Sequence, residues 1–356
     1  TANDVMSYLE RSGVQRRDYS CDGRVLTRVQ KINQSFHDGF RPIRQTMIPR
    51  AVTEQAFSAV LEGHSILLHG KAGAGKSGCL RELTGRLEKQ SILYLAVRLD
   101  QDVPDGSSDQ YGEALDLPES PVRCLFSLSA GKPCVLILDQ LDALRWASMH
   151  AEKALSVCRE LIREAAGANR EYAGKLSLLF VCRSFDLETD SKLAELFSHT
   201  SEPHGLIWEK ICVEPLSKEE TAECVGEPYG ILSPRLRELL RTPSALFVWS
   251  QLKEQDRCGE IHTSTQLMQV WWRQLQSSCA RQGLPEGETA ACVEDIVSRM
   301  MRNSRFSLPV QLFSGREAIV EALASGGLLT VDAHTVSFTH QSFLDFFAAV
   351  HILREI

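Results

Sequence analysis

Residues Gly70-Lys71-Ala72-Gly73-Ala74-Gly75-Lys76-Ser77 complete the pattern G-x-x-x-x-G-K-[ST], a phosphate-binding loop. The loop sits where its chemistry needs it. Ser65 to His69 before it are apolar and β-prone, and Cys79, Leu80 and Leu83 after it open a helical pattern. Gly70, Gly73 and Gly75 permit backbone conformations closed to residues with a Cβ, so successive N–H groups can turn inward onto phosphate oxygens. The helix N-terminus behind them adds partial positive charge. Lys76 is expected to reach the β- and γ-phosphates and the Ser77 hydroxyl to hold Mg²⁺. Lys71, Ala72, Ala74 and Gly78 complete the expected cradle. A nucleotide with Mg²⁺ is the ligand this spelling predicts.

At 356 residues the chain exceeds one average domain. From about Met47 onward, apolar strands alternate with helical patterns: Ile92–Val97, Cys134–Leu138, Leu178–Cys182 and Ile211–Val213 read as strands two to five. Continuous apolar strands between helices predict an α/β fold, a parallel sheet with helices on both faces. A helix between strands three and four carries Leu155, Cys158, Leu161, Ile162 and Ala165 on one face. Residues 101–120, rich in Asp, Gly, Ser and Pro, read as a solvated loop. Past Pro215 the strands stop. Residues 217–256 and 264–302 read as helical, Leu328–Val331 and Thr335–Phe338 as a hairpin, and the section with Phe343, Phe347 and Val350 as a closing helix. The expected division is 1–44 as a polar linker or tail of an upstream module, with the basic pair Arg16-Arg17, then 45–216, 217–260 and 261–356. The last is expected to be a winged-helix-like unit.

Composition excludes some classes. A net charge of −7 opposes a broad nucleic-acid footprint. No run of about 18 apolar residues predicts a membrane span. Eleven cysteines without a C-x-x-C pair predict a reduced, cytoplasmic protein with no zinc site. Thr1 opens no signal-peptide pattern, and a piece cut from a longer polypeptide is expected.

Further chemistry clusters at strand ends. Asp139 closes the third strand about sixty residues after the phosphate loop, where a P-loop fold places its Mg²⁺ ligand; an Asp ending a strand is also a common turn-former. Gln140 follows it, so an acid that polarises the attacking water must come from elsewhere. Asp142 is the nearest, although it equally suits capping the next helix. Arg183 ends the fourth strand, expected beside the phosphate-loop strand, where a guanidinium can read a terminal phosphate. A surface pair with Asp186 accounts for the same spelling. Thr242-Pro243 reads as a helix cap and first residue, and His340 stands alone at the hairpin-to-helix junction.

In their order, the loop Gly70–Ser77, Asp139 to Asp142, Arg183, Thr242-Pro243 and Phe338-Thr339-His340 with Phe343 resemble the STAND class of signal-transduction ATPases, its NACHT-like members above all. The resemblance covers about residues 45–356 and extends to bacterial antiviral sensors. It implies a P-loop sheet domain, a helical domain and a winged helix. It also implies that Pro243 packs near adenine, that His340 contacts the β-phosphate of ADP and holds the molecule closed, and that Arg50 flanks adenine. In the adenine-flanking segment Pro49 stands before Arg50 where the family usually has Gly. Gln140 stands where it often has Gly and Ala143 where it often has an acid, a pair that implies slow hydrolysis. Family architecture adds an upstream effector, a downstream sensor, self-association on activation and a viral protein as trigger. Two other functions fit parts of the pattern. A replication-initiator ATPase also joins a P-loop domain to a winged helix, but residues 341–355 carry Arg354 and His351 as their basic residues, against Asp345 and Glu355. A nucleotide-binding scaffold with little turnover needs only the loop.

Overall fold

The computed structural model describes residues 18–40, 42–43, 47–145, 151–172, 175–197, 206–257, 261–332 and 334–355. Arg16-Arg17 lie outside them. The chain begins with α1 (Gly23–Asp38), where Asp22 accepts the Arg24 N–H as its cap, and α2 (Ala51–Glu62). Then β1 (Ser65–Gly70), α3 (Lys76–Lys89), β2 (Leu93–Arg98), α4 (Ser108–Ala114), α5 (Pro121–Ser129) and β3 (Cys134–Asp139) follow. A short 3₁₀ turn at Leu141–Arg145 leads to α6 (Ala151–Tyr172), β4 (Leu176–Arg183), α7 (Ser184–Thr189), α8 (Ser191–Glu195) and β5 (Trp208–Val213).

All five strands run parallel in the order β2-β3-β4-β1-β5. Their side chains alternate. Leu67, Leu95, Leu136, Leu178 and Phe180 enter one core with α5 and α6, whereas Ile66, Ala96, Val135, Leu179 and Val181 enter another with α2 and α3. Period-two alternation with both faces apolar is what makes each strand read as a continuous hydrophobic run. With the glycine loop between β1 and α3, this is a P-loop NTPase sheet.

Two expectations change. Residues 101–120 are not all solvated loop. Ser107 and Gln110 form a capping box that starts α4, and Tyr111, Leu115 and Leu117 are buried; the S-x-x-Q spelling carried that signal. Residues 23–38 are a helix rather than irregular tail. Val25, Val29 and Ile32 recur at helical spacing and are buried. Beside them, buried Asn33 donates from Nδ2 to the Tyr94 carbonyl (2.8 Å) and accepts the Ala96 N–H (2.9 Å). Its amide thus pairs with the edge strand β2 as a neighbouring strand would, which closes that edge.

The second half is α9 (Lys218–Val225), α10 (Pro234–Leu240), α11 (Pro243–Gln251), α12 (Glu254–Arg257), α13 (Ser264–Arg281) and α14 (Glu286–Asn303). Then come β6 (Ser307–Pro309), α15 (Glu317–Ser325), β7 (Leu329–Val331), β8 (Thr335–Phe338) and α16 (Gln341–Glu355). The helical stretch 264–302 is two helices, broken where Gly283 takes φ 83° and Pro285 precedes α14. β7 and β8 form the expected hairpin, and β6 adds a third antiparallel strand on β8. At three residues, β6 was too short to show a period. One buried cluster runs from Leu216 through Trp249, Trp271 and Ile296 to Phe343, with Trp271 stacked on Phe343 at 4.7 Å.

Candidate functional site

The loop leaving β1 reaches α3 through two residues in left-handed conformation, Gly73 (φ 74°) and Gly75 (φ 96°). A Cβ on Gly73 would lie 2.1 Å from the Ser244 Oγ, and one on Gly75 would lie 3.1 Å from the Pro243 Cγ. Ser244 also donates its N–H to the Gly73 carbonyl at 3.2 Å. The start of α11 therefore clasps the loop, and glycine is required twice over, for conformation and for space. Gly70 differs from the expectation: its φ is not left-handed, and it is needed because a Cβ would meet the Val213 carbonyl at 2.6 Å.

Lys76 folds back over the loop, donating from Nζ to the carbonyls of Gly70 (3.0 Å) and Lys71 (3.1 Å). Burial lowers its pKa, opposed by Asp142 and Asp139. Asp139 ends β3 almost fully buried, and its Oδ1 accepts the Gln140 N–H at 2.9 Å. Burial pushes its pKa up to about 6, against the pull of Arg98, which stands opposite it in the β2–β3 register. Arg98 itself forks onto Asp100, Nε to Oδ1 at 3.1 Å and Nη2 to Oδ2 at 2.7 Å.

Asp142 lies in the 3₁₀ turn and turns its carboxylate to the tip of β4. One oxygen accepts the Arg183 N–H and the other faces Arg183 Nε, both at 3.2 Å. The remaining arm of the guanidinium, Nη2, reaches Asp345 of α16 at 3.2 Å. Arg183 thus joins the sheet to the C-terminal helix. Thr242 occupies the cap position of α11 without a side-chain cap bond, and Pro243 is its first residue.

These elements enclose a cavity of about 220 Å³. Ala72, Gly73, Gly75, Lys76, Ser77, Gly78, Asp139, Asp142 and Arg183 line its polar part, and Arg50, Pro243 and His340 line it too. Gly70, Lys71 and Ala74 shape the loop from outside the lining. Arg50 donates from Nη2 to the Glu214 carbonyl at 2.6 Å, and its Nε lies 3.5 Å from Glu220. The His340 ring packs edge-on to Phe247 at 4.8 Å. Sequence reasoning missed Phe36, Phe40 and Ile43 upstream, the Arg98–Asp100 pair, Ser244, Gln341 and Asp345. The apolar spacing of α1 was the one available signal for the upstream group.

The cavity suits a phosphate chain with an aromatic base. Gly73, Gly75, Lys76, Ser77 and Gly78 line one part of it, and its apolar walls include Phe36, Ile48, Leu216 and Phe247. The Ser77 hydroxyl and Asp139 carboxylate are hard oxygen donors of the kind Mg²⁺ takes.

Gln140 carries a side chain at φ 62°. A left-handed non-glycine residue costs about 1 kcal/mol or more. Gln140→Gly is expected to raise unfolding stability by roughly 0.5–1 kcal/mol after the added chain entropy of glycine. Urea titration with an unchanged m-value checks it.

No protein-family model and no curated protein matches the chain. Among solved structures, a Walker-type ATPase of Pyrococcus abyssi is 14% identical, with 86% of this chain and 98% of that chain covered at a TM-score of 0.45. A STAND protein with a tetratricopeptide-repeat sensor from Pyrococcus horikoshii is 11% identical over 88% of this chain and 44% of its own length, with a TM-score of 0.46. The ORC2 protein of Aeropyrum pernix is 11% identical over 86% and 93% of the two chains, with a TM-score of 0.35.

Proposed function

We propose that this chain is an ATP-binding and ATP-hydrolysing switch module of the STAND type, in which ADP/ATP exchange drives domain opening and self-association. The observation that carries the reading is the Arg183 guanidinium, held between Asp142 on the sheet side and Asp345 on α16 at the edge of the glycine-loop cavity. A terminal phosphate that drew Arg183 away would remove a bond between the two halves of the molecule. In the closed arrangement, ADP phosphates lie on the loop N–H groups and Lys76, the base lies among the apolar walls near Pro243, and His340 faces the nucleotide from the C-terminal unit. That unit acts as a winged helix. Ser77 and Asp139 would hold Mg²⁺, which would supply charge neutralisation at the phosphates. Gln140 in place of an acid suits slow turnover, which a switch tolerates. The upstream effector, downstream sensor, viral protein trigger, cytoplasmic location and antiviral role rest on the sequence resemblance.

Asp345→Asn tests the switch. Its partner pair is partly exposed, so the bond is worth about 1 kcal/mol, and the open population is expected to rise roughly fivefold. Protein purified with its own nucleotide should carry ADP, and the variant should exchange it for ATP faster and self-associate more by light scattering. Nucleotide-free wild type, or equal exchange in both, would count against the reading.

A further inference from the structure

The phosphate loop leaves the carboxyl end of β1, and a second group of metal-ligating side chains stands at its amino end. Glu62 closes α2, Gly63 follows in left-handed conformation (φ 82°), and His64 precedes β1. The turn is fixed by its own backbone. Gly63 donates its N–H to the Val60 carbonyl at 3.0 Å, and His64 donates its N–H to the Ala59 carbonyl at 2.9 Å. Glu209 lies in β5, opposite Ile66 in the β1–β5 register, and the Ser65 N–H donates to the Ile207 carbonyl at 2.7 Å. A helix end, a turn and a neighbouring strand thus bring three donors together on a hydrogen-bonded frame.

The His64 Nδ1 lies 2.6 Å from Glu209 Oε1 and 3.6 Å from Glu62 Oε2, and one donor atom from each residue falls within 4.8 Å of the others. A ring nitrogen carries one proton at most, so it cannot serve two carboxylates at once. The two anions that converge on it leave negative charge that a divalent cation would balance. Four-coordinate zinc, with bonds of about 2.0–2.1 Å, sets neighbouring donors about 3.3 Å apart, between the two distances seen. We propose that Glu62, His64 and Glu209 bind Zn²⁺, with water as the fourth ligand. The donor set decides the metal: one imidazole and two carboxylates suit a borderline cation, whereas Mg²⁺ prefers oxygen alone. No cysteine takes part, so the missing C-x-x-C spacing does not bear on this site. Glu62 is 65% exposed, which leaves the cation a route from solvent. β5 is last in the sheet order, and the cation ties that edge strand to the end of α2. Ligation by Nδ1 displaces its proton to solvent. The site and the phosphate loop lie at opposite ends of β1, so it stands or falls apart from the switch reading.

The test uses the full chain, stripped with a chelator, returned to excess Mg²⁺ and titrated with Zn²⁺ against a chromophoric indicator. One Zn²⁺ per chain is expected, with a melting temperature about 4 °C higher at a hundredfold excess over Kd. Glu62→Gln changes an exposed side chain, so it should melt like wild type without zinc yet bind the ion at least about tenfold more weakly. His64→Ala should weaken it by at least about 100-fold, above what loss of an outer-shell partner costs. Co²⁺ in the same site should give visible d–d bands without the near-ultraviolet band of a thiolate ligand. No binding, several equivalents without a melting shift, or unchanged affinity in both variants overturns the assignment. So does a thiolate band, which would put the metal on a cysteine. Should His64→Ala fail to fold, Glu62→Gln decides alone.

Discussion

Alanine at Lys76 is expected to weaken ATP and ADP by about 100-fold, read by titration with a fluorescent nucleotide. The reason lies in what surrounds the ammonium. In the closed cavity Lys76 donates to the carbonyls of Gly70 and Lys71, two acceptors that a phosphate chain would approach. Asp139 and Asp142 stand close enough to act on its charge. Without Lys76, an incoming polyphosphate meets two carboxylates and two carbonyls with one fewer cation to balance them. The loop itself should persist, since Ser244 and Pro243 clasp its glycines independently of the lysine. Circular dichroism and melting should therefore stay near wild type while affinity collapses. Lys76→Arg is not expected to rescue binding, because a planar fork cannot take the place of a compact point charge beneath the loop. Affinity within threefold of wild type in the alanine variant would remove the loop from the nucleotide site.

Much of this site is legible from local spelling because the chemistry is local. Eight consecutive residues define the loop, and an Asp or Arg at the end of an apolar run falls at the carboxyl edge of a parallel sheet. The strand order then brings Asp139, Arg183 and the loop to one edge, and no single segment encodes that convergence. What escaped was long-range. Asn33 closes the β2 edge from more than sixty residues away in sequence, and an isolated Asn in a polar stretch gives no periodic signal. Asp345 meets Arg183 across 162 positions, on a helix whose pattern announces only its apolar face. Gln140 was read as a departure from a family habit; the structure gives it a physical meaning, a left-handed turn that a side chain strains. Tyr111 and Leu115 were hidden because α4 is one buried turn among polar residues.

Asp139→Asn is expected to stabilise the nucleotide-free protein while removing Mg²⁺-dependent turnover. Asp139 is 4% exposed, and its folded pKa of about 6 lies above the ordinary carboxylate value of 3.8. The folded state therefore binds this proton more tightly than the unfolded chain does. Stability contributed at low pH is lost as pH rises from about 4 to about 6, and above that window the buried anion costs about 3 kcal/mol. Asparagine carries no charge at any pH and can still accept the Gln140 N–H through its amide oxygen. The variant should thus gain up to about 3 kcal/mol at pH 7.5 and close to nothing near pH 4. Denaturant unfolding of both proteins at the two pH values measures the difference. Turnover should fall at least about 100-fold, because a neutral amide is a poor ligand for a hard divalent cation and no longer offsets its charge. The two effects are expected to carry opposite signs: a purely structural aspartate would lose stability on substitution, whereas a buried carboxylate that serves as a cation ligand would gain stability by losing its function. Destabilisation at pH 7.5 with turnover intact would show that Asp139 serves the turn after β3 and nothing more.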